Sequence, residues 1–326
     1  MSLTSIGTPM MWVGFIILVL IVLAIDLWGL GGKNAHRVSQ KEALAWTVVW
    51  MLLAFAFGGA LWWYLLQQGH DPAFAKDKTM AFFTGYLIEK SLSVDNIFVF
   101  LMIFSFFSVP PVYQRRVLLY GVLGAIIMRA IMIFAGVALV TKFHWLMYVF
   151  GGFLLLTGLK MLFMADKESD LNNNPLLKWL RGHLRITHEF HDEKFMVVKD
   201  GVRWFTPLFL VLIMVEFSDL IFAVDSIPAI FAITTDPFIV FTSNIFAIMG
   251  LRALYFLLAD WNERFHLLKY GLAIVLLFVG AKMLLLDIYK IPTGVSLGVV
   301  GAIISSSMII SWMHTGRKHN IEQHHD

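Results

Sequence analysis

The sequence predicts an all-α polytopic membrane protein, on three observations. Hydrophobic residues make up 59% of the chain and charged residues only 14%, whereas soluble domains carry about 25% charged residues. The mean hydropathy is +0.77. The apolar residues fall in runs of about 20, the length of a helix that crosses the hydrocarbon core. Because unpaired backbone groups are costly in lipid, such runs are expected to be helical.

The apolar runs predict nine transmembrane helices within a single membrane domain, residues 1–326. Two N-terminal helices occupy residues 10–66, and a polar cytoplasmic tail is expected at 314–326. The first run contains Asp26 and lacks a basic leader, so it is interpreted as a retained span and not a signal peptide. The predicted spans are 10–30, 44–66, 80–107, 115–138, 145–164, 205–227, 238–258, 266–286 and 293–313.

The distribution of lysine and arginine predicts the orientation. Most basic residues follow the first, third, fifth, seventh and ninth spans. The segments after these spans all lie on the same side of the membrane. The opposite loop from Ser226 to Pro237 carries none. Since basic loops stay in the cytoplasm, the N-terminus is expected outside and the C-terminus inside. The largest loop, 165–204, is then cytoplasmic, and its amphipathic stretch from Leu176 to Leu184 is suited to the lipid surface.

Several classes of function are excluded or disfavoured by composition. The chain has no cysteine, which excludes disulfides, thiolate metal sites and thiol redox chemistry. Its basic residues lie in short loops between spans, which argues for membrane orientation and against a nucleic-acid partner. No nucleotide-binding loop or other ATPase motif is present, so the sequence favours a process driven by an ion gradient and not an enzyme.

Two parts of the chain resemble each other, and they predict an inverted repeat. Repeat 1 covers 80–164 and repeat 2 covers 205–286. Because each copy has three spans, the second is expected to enter the membrane in the opposite direction, as in transporters that bind substrate at the midplane between copies. The matched segments are Phe143–Tyr148 with Phe265–Tyr270, Gly158–Leu162 with Gly280–Leu284, Arg129 with Arg252, and Asp95 with Asp225.

Acidic residues lie inside two of the predicted spans, in equivalent positions of the two copies. Each charge at a helix centre costs about 2.5–3.5 kcal/mol on insertion scales, so these acids must be protonated, paired or bound to a cation. The predicted metal ligands are Glu89, Asp95, Asn96, Glu216, Asp219 and Asp225, and the predicted supporting or coupling residues are Ser218, Ser226, Arg129 and Arg252.

The spacing and chemistry of these residues favour a hard divalent cation. Glu89 and Asn96 are seven residues apart, so they share a helix face. Pro228 lacks an N–H and leaves the carbonyl of Val224 without its helical donor. Such an all-oxygen set suits Mn²⁺, Mg²⁺ or Ca²⁺. In the alternative interpretation, the acids pair with buried basic residues and only hold helices together. The basic residues concerned are Lys90, Arg129 and Arg252.

Three motifs carry a resemblance to a known family. They are G-Y-L-I-E-K-S-L-S-V-D-N at 85–96, V-E-F-S-D-L-I-F-A-V-D-S-I-P-A at 215–229 and T-D-P-F at 235–238. The chain resembles the TerC family of membrane proteins along nearly its whole length, and within it the Alx-type bacterial members. The resemblance implies a multi-pass protein of the bacterial inner membrane, in the LysE-like transporter grouping, that exports Mn²⁺ from the cytoplasm.

The combined expectation is a secondary transporter that exchanges Mn²⁺ for protons and uses no organic cofactor. Its partners would be the divalent cation, protons and the bilayer, and an oligomer is compatible with the sequence. Two alternatives stay open. One is a membrane factor that assists insertion or metalation of exported proteins through the 165–204 loop. The other is a membrane protein of tellurite or redox stress, which the family's association with tellurium resistance implies.

Overall fold

The structure is a computed structural model of the 326-residue chain. It describes residues 5–29, 39–164, 174–199, 201–259, 268–289 and 291–322. Within these ranges the side chains of residues 26–29, 95, 164, 268, 312 and 314–322 are outside the description. The predicted ligand Asp95 therefore has a described backbone only, and so does Asp26.

The described chain consists of helices and one small β-hairpin. Strand β1 (Met196–Lys199) pairs antiparallel with β2 (Val202–Phe205). The helices are α1 (Pro9–Gly29), α2 (Gln40–Gln67), α3 (Pro72–Phe106), α4 (Pro111–Lys142), α5 (Leu146–Met164), α6 (Pro175–His183), α7 (Pro207–Phe231), α8 (Pro237–Met249), α9 (Leu251–Ala259), α10 (Leu268–Leu284) and α11 (Thr293–Glu322).

The prediction of a polytopic all-helical membrane protein is confirmed. Six segments are long and apolar enough to cross a membrane: Gln40–Gln67, Pro111–Lys142, Leu146–Phe163, Pro207–Phe231, Pro237–Ala259 and Thr293–Ser311. The other three predicted spans coincide with α1, α3 and α10. The described apolar part of α1 and the whole of α10 are shorter, and α3 carries charged residues in its apolar part. The number nine, the orientation and the repeat stay predictions.

Several helices begin where the sequence supplies a proline or a capping side chain. Pro72, Pro111, Pro207 and Pro237 each open a helix, since the fixed φ of proline suits the first turn. Asp236 caps α8 by accepting a hydrogen bond from Phe238 N at 3.0 Å. The same carboxylate accepts from the backbone N–H of Ile6 at 2.9 Å, so the N-terminal segment is fixed to the start of α8.

The centre of the molecule is formed by α8 and α9, which are almost completely buried. Helices α3 and α4 both pack against α8, and both pack against α7. Helix α5 packs along α10. There the glycines allow close approach: a Cβ at Gly151 would lie 3.1 Å from the carbonyl oxygen of Gly280, and a Cβ at Gly158 would lie 3.0 Å from that of Ala273.

Part of the predicted cytoplasmic loop is folded. The predicted amphipathic stretch forms α6, which buries Leu177 and Leu180. Ahead of the hairpin, Glu193 forms an ion pair with Arg116 of α4 at 3.3 Å, and the Arg116 guanidinium lies over the ring of Phe195 at 5.6 Å. This folded segment, residues 174–199 and 201–205, therefore contacts the end of the helical bundle at which α4 begins. Contact with a lipid surface stays a prediction.

Candidate functional site

A buried arginine, Arg129 of α4, lies at the centre of the intramembrane polar residues. Its side chain is 1% exposed. Its Nε donates to Asp219 Oδ2 at 3.4 Å and its Nη2 to Asp219 Oδ1 at 3.1 Å. Its Nη1 donates to Glu89 Oε1, to Asn244 Oδ1 at 3.0 Å and to Ser226 Oγ at 3.4 Å. Arg129 therefore links its own helix to α3, α7 and α8.

We call Arg129, Glu89, Asn96, Asp219, Ser226 and Asn244 the Arg129 network. Burying a charge is costly unless it is paired and hydrogen-bonded, and each acid of the network is paired with the guanidinium. Two acids, Glu89 and Asp219, thus form the ion pairs that the alternative interpretation predicts, with one of its three basic residues. That they only hold helices together stays a prediction. Lys90 instead donates to the carbonyl oxygen of Ala247 at 3.3 Å. Arg252 is buried in α9.

Two oxygen atoms of the network are buried and have no hydrogen-bond donor among the described residues. Asn96 donates from Nδ2 to Asp219 Oδ1 at 3.3 Å, which leaves its Oδ1 without a partner. Glu89 likewise has an unpartnered Oε2. A buried acceptor without a partner costs about 1–3 kcal/mol. These two atoms are therefore the acceptors that a cation or a donating ligand would satisfy.

A small cavity of about 40 Å³ adjoins the network. A cavity needs about 10–15 Å³ to hold one water molecule, so this cavity has room for an ion or for a few waters. The residues that line it come from five helices, α3, α4, α5, α7 and α10. They are Glu89, Leu92, Asn96, Arg129, Thr157, Met161, Phe222, Asp225, Ser226 and Leu276. Val224, whose carbonyl was predicted as a ligand, is absent from this lining.

Asp225 is the carboxylate of this cavity that lies outside the Arg129 network. It is half-buried, and it accepts a hydrogen bond from Thr157 Oγ1 of α5 at 3.4 Å. Lys160, exposed on the same helix one turn further along, acts electrostatically on it. One neutral donor at the limit of hydrogen-bonding distance leaves most of the acceptor capacity of Asp225 available.

Two other predicted residues of α7 point away from the cavity. The carboxylate of Glu216 lies directly against α4 at Gly124, where a Cβ would collide with it. Glu216 is one turn from Asp219, yet it is not part of the cavity lining. Ser218 donates to the carbonyl oxygen of Met214 at 2.8 Å in its own helix, so its hydroxyl is already satisfied there.

The structure thus brings together Glu89, Asn96, Asp219, Ser226 and Arg129, and it places Asp225 at the same cavity. Glu216 and Ser218 do not line the cavity, Arg252 is buried in α9, and the side chain of Asp95 is outside the description. Within the described residues, no group of three or more acidic or histidine side chains is arranged to hold a metal ion. The six-ligand metal site therefore stays a prediction.

Two residues that contact the candidate site, Asn244 and Thr157, were missed by sequence reasoning. Asn244 follows Thr242 and Ser243 in an otherwise apolar span, and a polar triplet at that depth is a signal that could have found it. Thr157 is a single threonine in an apolar run, and we see no local signal that distinguishes it. Its importance comes from α5 packing beside α7.

Comparison with known proteins identifies the family. Residues 74–319 match the family described as integral membrane protein TerC family. The chain belongs to the TerC family. A Salmonella typhi relative, provisionally named the membrane-bound redox modulator Alx, is 57% identical over 317 residues, covering 97% of this chain and 98% of the relative.

Other TerC-related proteins extend this comparison. The relative of the same name from Escherichia coli (strain K12) is 56% identical over 313 residues, 96% of this chain and 97% of that protein. An uncharacterised membrane protein of Myxococcus xanthus is 50% identical over 307 residues, 94% of this chain and 93% of that protein. No solved structure matches the chain. TerC membership and Alx-type similarity are confirmed, whereas the LysE-like grouping and the transported ion stay predictions.

Proposed function

We propose that this TerC-family protein is a secondary transporter that exports a divalent cation, Mn²⁺ foremost, across the bacterial inner membrane in exchange for protons. One observation carries the proposal. A cavity inside the helical bundle is lined by oxygen-bearing side chains, and two of their buried oxygens, Glu89 Oε2 and Asn96 Oδ1, have no partner among the described residues.

The charge of the site favours a cation. Glu89 and Asp225 line the cavity, Asp219 lies behind them, and the buried network contains a single guanidinium. Three carboxylates therefore stand against one buried guanidinium and the exposed Lys160 beside Asp225. Carboxylate and amide oxygens are ligands of hard divalent cations, and the chain has no cysteine that would suit a softer metal.

The hydrogen bonds divide the predicted ligands into two groups. Both oxygens of Asp219 already accept from Arg129, and one accepts from Asn96 as well. Asp219 is therefore suited to orient its neighbours. We expect the cation to bind Glu89, Asn96 and Asp225, with Asp95 as a further predicted ligand.

The packing of α5 on α10 supports the inverted repeat. In the sequence alignment of the copies, Gly151 corresponds to Ala273 and Gly158 to Gly280. Gly151 approaches Gly280, and Gly158 approaches Ala273. Exchanging the two copies converts one contact into the other, as a twofold axis between α5 and α10 would require. Two such copies could rock about the central cavity and expose it to each side in turn.

Proton coupling follows from the ligand chemistry. Metal ligands must be deprotonated, so a carboxylate can hold the cation or a proton but not both. After Mn²⁺ is released outside, protons bind the carboxylates of the cavity there. The cavity can then reopen to the cytoplasm with its carboxylates neutralised, which avoids leaving uncompensated charges inside the membrane.

Uptake into inverted inner-membrane vesicles tests the proposal. We expect native vesicles to accumulate Mn²⁺ and to dissipate a proton gradient, and Asp225→Asn to abolish both. Asp287→Asn is the matched control, because Asp287 accepts from Tyr148 in an exposed position away from the cavity. The proposal fails if native vesicles move no divalent cation, or if Asp225→Asn transports normally.

A redox role is the second candidate, because the Salmonella and Escherichia relatives carry that name. Thiol exchange by this chain itself is excluded, since it has no cysteine. Export of a redox-active cation would connect the two functions. An absorbance spectrum of the purified protein separates them: a visible band from a bound chromophore favours redox chemistry, and its absence together with Mn²⁺ uptake favours transport.

A role in insertion or metalation of exported proteins is the third candidate. It would require the folded part of the loop, residues 174–199 and 201–205, to bind a partner. Replacing Met196–Phe205 by a flexible linker tests it. Persistent Mn²⁺ uptake with lost metalation of exported enzymes would assign that role to the loop. Unchanged metalation would remove the reason to propose it.

A further inference from the structure

Arg129 holds the two acids of its network in different ways. Asp219 receives two parallel hydrogen bonds, from Nε and Nη2, one to each carboxylate oxygen. Such forked pairs combine charge with fixed geometry. Glu89 receives only Nη1, and that nitrogen also donates to Asn244 and Ser226. The guanidinium is therefore anchored on Asp219 and shared on Glu89.

Glu89 is also the acid of the network that faces the cavity. Glu89 and Arg129 both line it, whereas Asp219 does not. One oxygen of Glu89 is bonded to Nη1 and the other, Oε2, is the buried acceptor without a partner. A cation bound at Oε2 would therefore share one carboxylate with a guanidinium, and the two positive charges would repel each other at short range.

The surroundings of Nη1 offer an alternative to Glu89. Asn244 Oδ1 at 3.0 Å and Ser226 Oγ at 3.4 Å are neutral acceptors already in contact with it. Asn244 is itself oriented by donating from Nδ2 to the carbonyl oxygen of Val240 at 3.0 Å. Because the guanidinium is planar and rigid, Nη1 keeps these two acceptors when the Glu89 carboxylate turns toward a cation, while Nε and Nη2 stay on Asp219.

We infer that Arg129 is a tethered counter-cation that competes with the transported cation for Glu89. This inference rests on the proposed function, because it takes Glu89 as a ligand of the cargo. Cation binding transfers Nη1 from Glu89 to Asn244 and Ser226, and cation release returns it. The competitor weakens binding and speeds release, so Arg129 sets how tightly the cavity holds its cargo and acts as a positioning residue.

The test compares Mn²⁺ binding with Mn²⁺ transport in purified, reconstituted protein. Free Mn²⁺ is followed by its electron paramagnetic resonance signal, and uptake is measured in proteoliposomes. Arg129→Lys keeps one positive charge but replaces a planar fork of five donors by one ammonium nitrogen on a shorter head group, so we expect it to bond Asp219 and to leave Glu89 free. We expect the Kd for Mn²⁺ to fall by about tenfold, the size of a typical coupling between ligands. Because tighter binding slows release, the KM and the maximal uptake rate should both fall.

A second variant predicts the opposite sign. Asn244→Ala removes the nearest neutral acceptor of Nη1 and leaves it only Glu89 and the more distant Ser226, so the bond to Glu89 is favoured and the Kd should rise. In the Arg129→Lys background the same substitution should have no effect on Kd. Thr242→Val is the matched control, because Thr242 is buried in the same helix and, among the described residues, bonds only to Phe238 and Ile239 of that helix. Its Kd should equal that of the native protein.

The outcomes separate this inference from the proposed function. If the native protein transports Mn²⁺ but Arg129→Lys, folded as judged by gel filtration and melting temperature, binds no tighter, the transporter stands and the counter-cation inference is wrong. If Arg129→Lys does not fold, Asn244→Ala decides: an unchanged or lower Kd overturns the inference. If the native protein neither binds nor moves Mn²⁺, both proposals are wrong.

Discussion

Two aspartates of α7, Asp219 and Asp225, have the same chemistry and opposite surroundings. They are six residues apart, about 9 Å along the helix axis. Asp219 is buried, and both of its oxygens accept from Arg129. Asp225 is half-buried at a cavity and accepts one bond, from Thr157. The neighbours of an acid inside a membrane protein therefore decide whether it is structural or available to a ligand. Its position in a sequence motif does not.

The largest expected effect distinguishes the two aspartates by stability. Asp219→Asn leaves the buried Arg129 without its forked partner, and breaking a buried ion pair costs about 3–5 kcal/mol. Asp225→Asn breaks no ion pair in the network and should change the free energy of unfolding by less than about 1 kcal/mol. Thermal unfolding of detergent-solubilised protein measures both. Equal destabilisation by the two substitutions would show that the division of roles is wrong.

Glu89 should behave as an intermediate between the two aspartates. Glu89→Gln keeps the shape but weakens the bond from Nη1, and a hydrogen bond to a charged group is worth about 1.5–3 kcal/mol. It also removes a carboxylate from the cavity, so Mn²⁺ uptake should be lost. Melting and uptake measured on the same preparation check this. Normal uptake with reduced stability would assign Glu89 to structure alone.

The third prediction concerns α5, the helix that places Thr157 beside Asp225. A Cβ at Gly280 would lie 2.9 Å from the carbonyl oxygen of Gly151, so Gly280→Ala should force α5 and α10 apart at a cost of about 1–3 kcal/mol. Gly152→Ala is the control, because a Cβ there meets nothing within 4 Å, and it should be neutral or slightly stabilising. Melting temperatures distinguish the two, and a stable Gly280→Ala protein contradicts the close packing.

The smallest effect is expected at Thr157. Thr157→Val removes a hydroxyl whose bond to Asp225 is 3.4 Å long, so the free energy of unfolding should change by about 0.5–1.5 kcal/mol or less. Mn²⁺ uptake should persist with a modest change in KM. Titration of uptake against Mn²⁺ concentration measures that change. Complete loss of uptake would make Thr157 a ligand and not an orienting donor.

The helices were largely predictable because each is specified by a local run of apolar residues. One exception is instructive. The span predicted at 238–258 is one apolar segment, Pro237–Ala259, with a one-residue interruption at Gly250 between α8 and α9. Between them a Cβ on Gly250 would lie 2.6 Å from Lys90 Nζ. The glycine leaves room for an ammonium that comes from a distant part of the sequence, so no local pattern predicts this contact.

The candidate site was predictable in part for the same reason. Helical spacing predicts that Glu89 and Asn96 share one face of α3, and both belong to the Arg129 network. Spacing also puts Glu216 one turn from Asp219. It cannot predict that Glu216 contacts α4 at Gly124, because that contact depends on how two helices approach each other.

The sequence by itself determined that this is a helical membrane protein of the TerC family with acids inside its spans. Hydropathy, helical periodicity and motif identity are properties of neighbouring residues and need no knowledge of packing. Only the tertiary structure decided which acids are neutralised by Arg129 and which face a cavity. Arg129 meets Glu89 across 40 positions and Asp219 across 90. Contacts at that separation are set by the packing of α3, α4, α7 and α8 around one buried charge.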